Sequence, residues 1–144
     1  MEDSNVIVML VRDVMSPRPV TIGPDTPCDV ARRLMEDHRI RHLPVVAGSR
    51  LVGMVSDRDV RLAVRAPAMP AGRMMTPDPV TVTPCTRVEH AARLMLDRRF
   101  GSLPVTDGES LVGIVTYTDL LRAFVQVIDT ATSERIAVDL PGAA

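Results

Sequence analysis

The chain contains no lysine and no tryptophan, and all 17 of its basic residues are arginine. Without lysine, every lysine-dependent chemistry is excluded, including a Walker-type phosphate loop and a lysine Schiff base. Two causes account for the arginine-only pattern: a coding bias in the source genome, or a preference for bidentate contacts to phosphate. Aromatic residues make up only 2% of the sequence, one Tyr and two Phe, so any core must be aliphatic. The 46% apolar content supports such a core for about one ordinary domain, and nine Met suit adaptable packing rather than chemistry. No apolar run reaches the roughly 18 residues of a membrane-spanning helix. Net charge is −1 with no long run of either sign, which argues against nucleic acid or an anionic membrane as partner. Two cysteines, Cys28 and Cys85, are too far apart to form a short metal-binding pair. With no secretory apolar region at the N-terminus, the expectation is a reduced, cytoplasmic setting and two buried or half-buried thiols.

What the sequence does contain is a repeat. Shifted by 60, residues 13–62 fall on residues 73–122 without a gap, and 22 of those 50 positions are identical. Met15, Pro17, Pro19, Val20 and Thr21 return as Met75, Pro77, Pro79, Val80 and Thr81, and Leu43-Pro44-Val45 returns as Leu103-Pro104-Val105. Duplication this close predicts two copies of one supersecondary unit facing each other across a pseudo-twofold axis.

Each copy reads as strand, helix, strand, strand, helix, an α+β pattern. Residues 19–22 form a short extended piece confined by Pro17, Pro19 and Pro24. Thr26, with Pro27 and Asp29 behind it, predicts a capped helix start, repeated at Thr86 and Glu89. Val30, Ala31, Leu34, Met35 and His38 make the apolar stripe of that helix. Residues 43–46 and 51–55 are strands joined by a short turn at Gly48, and Ser56 caps a helix over residues 57–64. This divides the chain into a first unit with its N-terminal segment (1–64), a proline-rich linker (65–72), a second unit (73–124) and a C-terminal extension (125–144). Residues 6–14 are expected to cover the core as a short strand or helical turn. The tail continues the last helix from Phe124, then shows a strand-and-turn pattern over residues 135–142. That apolar segment packs on this module or a partner subunit, or opens a further domain.

The sharpest signals are Ser56-x-x-Asp59 and Thr116-x-x-Asp119, each directly behind a glycine-containing apolar strand. Such a pattern is a capping box that satisfies the first amides of a helix, and on that reading nothing needs to bind. The same geometry gathers a hydroxyl, amides and a carboxylate at a helix N-terminus. Phosphate plus a ribose diol is a ligand that asks for both. The two readings are compatible.

The pair of units resembles the tandem CBS domains named after cystathionine β-synthase. The residues that carry the resemblance are Met15-Ser16-Pro17 and Met75-Thr76-Pro77, the Leu-Pro-Val triplets, and residues 53–59 with 113–119. It spans about residues 10–124. It implies two units packed through their sheets into one disc-shaped module with two clefts for an adenine nucleotide such as AMP, ADP, ATP or S-adenosylmethionine.

In the cleft headed by Thr116 and Asp119, the resemblance implies contributions from Val20, Thr21, Ile22, Ile40, Arg41, His42 and Pro44. Asp119 then holds ribose, Thr116 a phosphate or ribose oxygen, and Arg41 and Arg58 phosphate, since guanidinium–phosphate pairing is charge-assisted. The cleft headed by Ser56 and Asp59 draws on Val80, Thr81, Val82, Phe100, Gly101, Ser102 and Pro104. There Gly101, Ser102 and Thr118 stand where the first copy has Arg41, His42 and Arg58, so this cleft is expected to bind nucleotide more weakly. His42 is a phosphate contact if protonated, while His38 and His90 belong beside helix stripes. No cluster has metal-ligand spacing and no nucleophile has a base, so a non-catalytic regulator with no required cofactor is expected. A homodimer is implied, with an enzyme or transporter as the regulated partner. The alternative is a ligand-free dimerisation scaffold.

Overall fold

A computed structural model describes residues 7–139. The first copy contains α2 (Cys28–His38), β2 (His42–Ala47), β3 (Arg50–Ser56) and α3 (Asp57–Leu62), preceded by α1 (Val11–Val14) and β1 (Ser16–Pro17). The second contains α5 (Val88–Arg98), β5 (Ser102–Asp107), β6 (Ser110–Thr116) and α6 (Tyr117–Asp139), preceded by α4 (Ala71–Met74) and β4 (Thr76–Pro77). The architecture is α+β, as the periodicities imply.

In each copy the two long strands pair antiparallel, with Leu43 opposite Val55 and Leu103 opposite Val115. The extended piece before them adds a parallel bridge: the Ile22 amide donates to the Pro44 carbonyl at 3.0 Å, and the Val46 amide to the Ile22 carbonyl at 2.8 Å. The copies meet where β3 approaches β6. The Leu51 amide donates to the Glu109 carbonyl at 3.3 Å and the Leu111 amide to the Ser49 carbonyl at 3.2 Å. A shift of 60 turns one bond into the other, so a pseudo-twofold axis passes between them.

The leading segment of each copy packs on the other. β1 pairs with β6, and β4 pairs with β3. Val11, fully buried, joins Met95, Leu103 and Val115 in the second core, with Val14 and Met15 packed alongside. Ala71, Met74 and Met75 belong to the first core, with Leu43, Val45 and Val55. The N-terminal segment thus lies with the second unit, and the end of the proline-rich linker is a helical turn in the first core rather than a spacer. Gly53 and Gly113 permit the crossing. A Cβ on Gly113 would sit 2.6 Å from the Met15 Sδ, and one on Gly53 would collide with the Met75 thioether.

Several expected boundaries move. The helices expected to open at Thr26 and Thr86 start at Cys28 and Val88 without a side-chain cap. Each threonine instead turns back, Thr26 Oγ1 accepting from the Gly23 amide at 3.1 Å and Thr86 Oγ1 from Thr83 at 3.0 Å. The free helical amides find carbonyls elsewhere. Cys28 donates to Met69, Asp29 to Pro67 and Val88 to Met9. Residues 136–139, expected as a strand, are helical, because nothing in the sequence from Tyr117 to Asp139 breaks the helix. The expected turn at residues 140–142 lies outside the described residues, as does Val6. Cys28 is buried, with its thiol pKa raised by burial, whereas Cys85 is exposed.

Candidate functional site

At the end of β3, Ser56 Oγ accepts from the Asp59 amide at 3.2 Å, and Asp59 Oδ2 accepts from the Ser56 amide at 2.8 Å. The predicted capping box is therefore present. It uses one carboxylate oxygen and leaves Asp59 Oδ1 and the Ser56 hydroxyl proton without a partner among the described residues.

The second copy repeats the box with less to spare. Thr116 Oγ1 accepts from the Asp119 amide at 3.4 Å and donates to Asp119 Oδ2 at 3.1 Å, so its proton is taken. The other oxygen, Asp119 Oδ1, lies 3.7 Å from the Arg122 guanidinium, and Asp119 is only 7% exposed. Burial and an internal cation occupy the carboxylate that was expected to hold ribose.

Beside Ser56 and Asp59 opens a cavity of about 300 Å³. Its walls come from both copies: His42, Met54, Asp57 and Arg58 on one side, and Thr76, Pro79, Val80, Arg99, Phe100, Gly101, Ser102 and Pro104 on the other. Seven residues assigned to this cleft line it: Ser56, Asp59, Val80, Phe100, Gly101, Ser102 and Pro104. Thr81 and Val82 do not. Thr81 points to solvent, and Val82 is buried in the second core.

His42 and Arg58, assigned to the other cleft, line this one. Of their expected companions, Ile22 is buried in the first core, Val20 and Ile40 pack against it, and Pro44 is fully buried. Thr21 and Arg41 are exposed, and the Arg41 carbonyl accepts from the Asp57 amide at 2.9 Å. The structure brings Thr116 and Asp119 together and places Arg58 on the wall of the cavity beside Ser56 and Asp59.

β-pairing explains where His42 lies. It opens β2 directly opposite Ser56, which carries the imidazole to the junction. The ring lies over Gly101 of the other copy; a Cβ there would stand 3.0 Å from both Cε1 and Nε2. Glycine at this position, where the first copy has Arg41, is thus a steric condition for the ring's position. Burial lowers the His42 pKa from its ordinary 6.5. Arg41 adds to that, while Asp57 and Asp59 oppose it. This lowering disfavours the protonated form that a phosphate contact at His42 would need.

The sequence reading missed Arg99. It follows α5 in a left-handed conformation, φ 57°, and lines the cavity with Arg58. A signal was available, because Arg39 and Arg99 recur at the 60-residue shift. Asp57, on the same wall as Arg58, is paired with Arg61 at 3.1 Å. Among the described residues no three of His, Cys, Asp and Glu gather into a metal-binding group.

The CBS domain family model matches residues 11–66 and 71–126. A CBS domain-containing protein of Dictyostelium discoideum is 35% identical over 137 residues, which span 84% of this chain and 94% of that protein. An inosine-5'-monophosphate dehydrogenase of Korarchaeum cryptofilum is 37% identical over 112 residues, 77% of this chain but 22% of the enzyme. Among solved structures, CBSX2 of Arabidopsis thaliana in complex with AMP superposes with a TM-score of 0.74 at 35% identity, covering 82% of this chain and 97% of that one. The CBS domain pair of protein MJ0100, in complex with 5'-methylthioadenosine and S-adenosyl-L-methionine, gives 0.78 at 30% identity, over 83% and 98%.

Proposed function

The chain belongs to the CBS-domain family, and on that premise we propose that it is a non-catalytic regulatory module that binds an adenine nucleotide between its two units. The observation that carries the reading is Asp59 Oδ1 and the Ser56 hydroxyl, without partners among the described residues, in a cavity of about 300 Å³ that Arg58 and Arg99 also line. A cavity of that size is at the lower end for a drug-sized ligand. Asp59 accepts from the ribose diol, Ser56 donates to a ribose or phosphate oxygen, and the two guanidiniums meet phosphate. Met54, Val80, Phe100 and Pro104 give the base an apolar seat. The Thr116–Asp119 cleft is the weaker site, because a ligand there must displace Arg122.

The relatives in complex with AMP and with S-adenosylmethionine support an adenosine ligand. Ligand that bridges the units shifts the population toward states in which they are held together, and that shift reaches whatever docks on the module. Its setting in this reading is the cytoplasm, its assembly a homodimer, and its target an enzyme or transporter. The dehydrogenase relative shows the same region within an enzyme chain. Among the described residues, no helix is long and apolar enough to cross a membrane.

Titration calorimetry with AMP, ADP, ATP and S-adenosylmethionine tests the assignment. Asp59→Asn, which keeps an acceptor for the helix cap, is expected to weaken AMP at least about tenfold, roughly 1.5 kcal/mol. Asp119→Asn is expected to do less, and the reverse order would overturn the choice of cleft. The scaffold alternative has its own support, because both capping boxes are complete without ligand. A flat thermal-shift screen against all four compounds would favour it.

A further inference from the structure

The two capping boxes differ in the cation that lies one turn behind them. In α3 it is Arg61, four residues after Asp57, whose carboxylate it holds at 3.1 Å. In α6 it is Arg122, three residues after Asp119, whose Oδ1 it faces at 3.7 Å. At the 60-residue shift Arg61 answers to Leu121 and Arg122 to Leu62, so the cation has moved by one position. One position on a helix is a rotation of about 100°, enough to turn a side chain from one acid to another. The next residues, Ala63 and Ala123, are both buried, which holds the two helices at the same rotation and makes the positions comparable.

The two acids differ accordingly. Asp59 lines the cavity, and its Oδ1 has no partner among the described residues. Asp119 is more than nine-tenths buried, with Oδ2 engaged by Thr116. Its Oδ1 has no hydrogen bond among the described residues and faces the guanidinium at a longer distance. A buried carboxylate oxygen in that state calls for a donor.

We propose that the arginine behind each box selects the cleft that takes nucleotide. Arg122 locks the Thr116–Asp119 cleft against a ribose diol, and Arg61, turned to Asp57, leaves the Ser56–Asp59 cleft unlocked. The proposal rests on the nucleotide reading above and names the residue that sets its preference. A guanidinium only donates, so it competes with the diol hydroxyls for the same carboxylate and must move aside before they reach it. The Arg122 side chain is 76% exposed, and an ion pair with so exposed a cation makes the lock worth about fivefold in affinity.

Titration calorimetry of the full chain tests this, with AMP and with adenosine, which keeps the diol and lacks the phosphate. In an Asp59→Asn protein, where the Thr116 cleft is the intact one, adding Arg122→Leu should tighten both ligands about fivefold. In an Asp119→Asn protein, Leu62→Arg should weaken both by a similar factor. Leu62 and Arg122 are exposed, so the variants should fold, which circular dichroism checks; Arg122→Gln, a milder change, should act in the same direction as Arg122→Leu. Unchanged affinities in either exchange, or no binding by Asp59→Asn with Arg122→Leu, would overturn the selector. So would weaker AMP with unchanged adenosine on Arg122→Leu, which would make Arg122 a phosphate contact. AMP bound by wild type, weakened by Asp59→Asn and indifferent to both exchanges sinks the selector alone. A wild type that binds neither compound sinks the nucleotide reading with it.

Discussion

At residue scale, His42 decides how the cleft responds to acid. Its imidazole is held between Ser56 and Gly101 with its pKa below the ordinary 6.5. The unfolded chain therefore binds the proton more readily than the native one. The corresponding stability is fully present above about pH 6.5 and is lost as pH falls from there toward the lowered native value. Melting temperatures at pH 7.5 and 5.5 are expected to fall further for wild type than for His42→Gln; equal drops would refute this. Gly101→Arg, which copies the first unit's residue, drives a Cβ against the ring. Overpacking of this kind costs roughly 1–3 kcal/mol, and calorimetry should show AMP binding lost with it. The capping boxes were legible in the sequence because Ser/Thr-x-x-Asp is a local pattern. The side on which His42 and Arg58 fall was not, since a repeat gives equivalent positions without saying which cleft each one faces.

Among elements, the two long strands of each copy carry the packing. Leu43 and Leu103 are fully buried at equivalent positions of β2 and β5. With so few aromatic residues, each core relies on a few aliphatic side chains. Leu43→Ala is expected to cost about 2–5 kcal/mol, visible as a lower denaturant midpoint, and a loss under 1 kcal/mol would mean the site collapses around the gap. β2, β3 and α3 could be read from alternation and a cap. The starts of α2 and α5 could not, because carbonyls of Pro67, Met69 and Met9, distant in sequence, satisfy their first amides. A local rule assigned that work to Thr26 and Thr86, which bond to the preceding turn instead. The tail misled for another reason: a short apolar alternation such as residues 136–140 fits either period.

For the whole molecule, the repeat announced a pseudo-dimer, but β1 and β4 are two-residue strands too short to leave a periodic trace. Their exchange between units was legible only in the coordinates. Neither core is complete without the other's leading segment, so one cooperative unfolding transition is expected by calorimetry. Two resolved transitions would show that the units are independent.

The crossed arms also bear on how a single unit would behave. In this chain each arm completes the other unit's core, so a lone unit is expected to complete itself by trading arms with an identical neighbour. The two copies differ in the same region, with Gly101 where the first copy has Arg41. Residues 69–126 expressed by themselves are accordingly expected to pair through their own arms, which light scattering would report as twice the mass of the fragment.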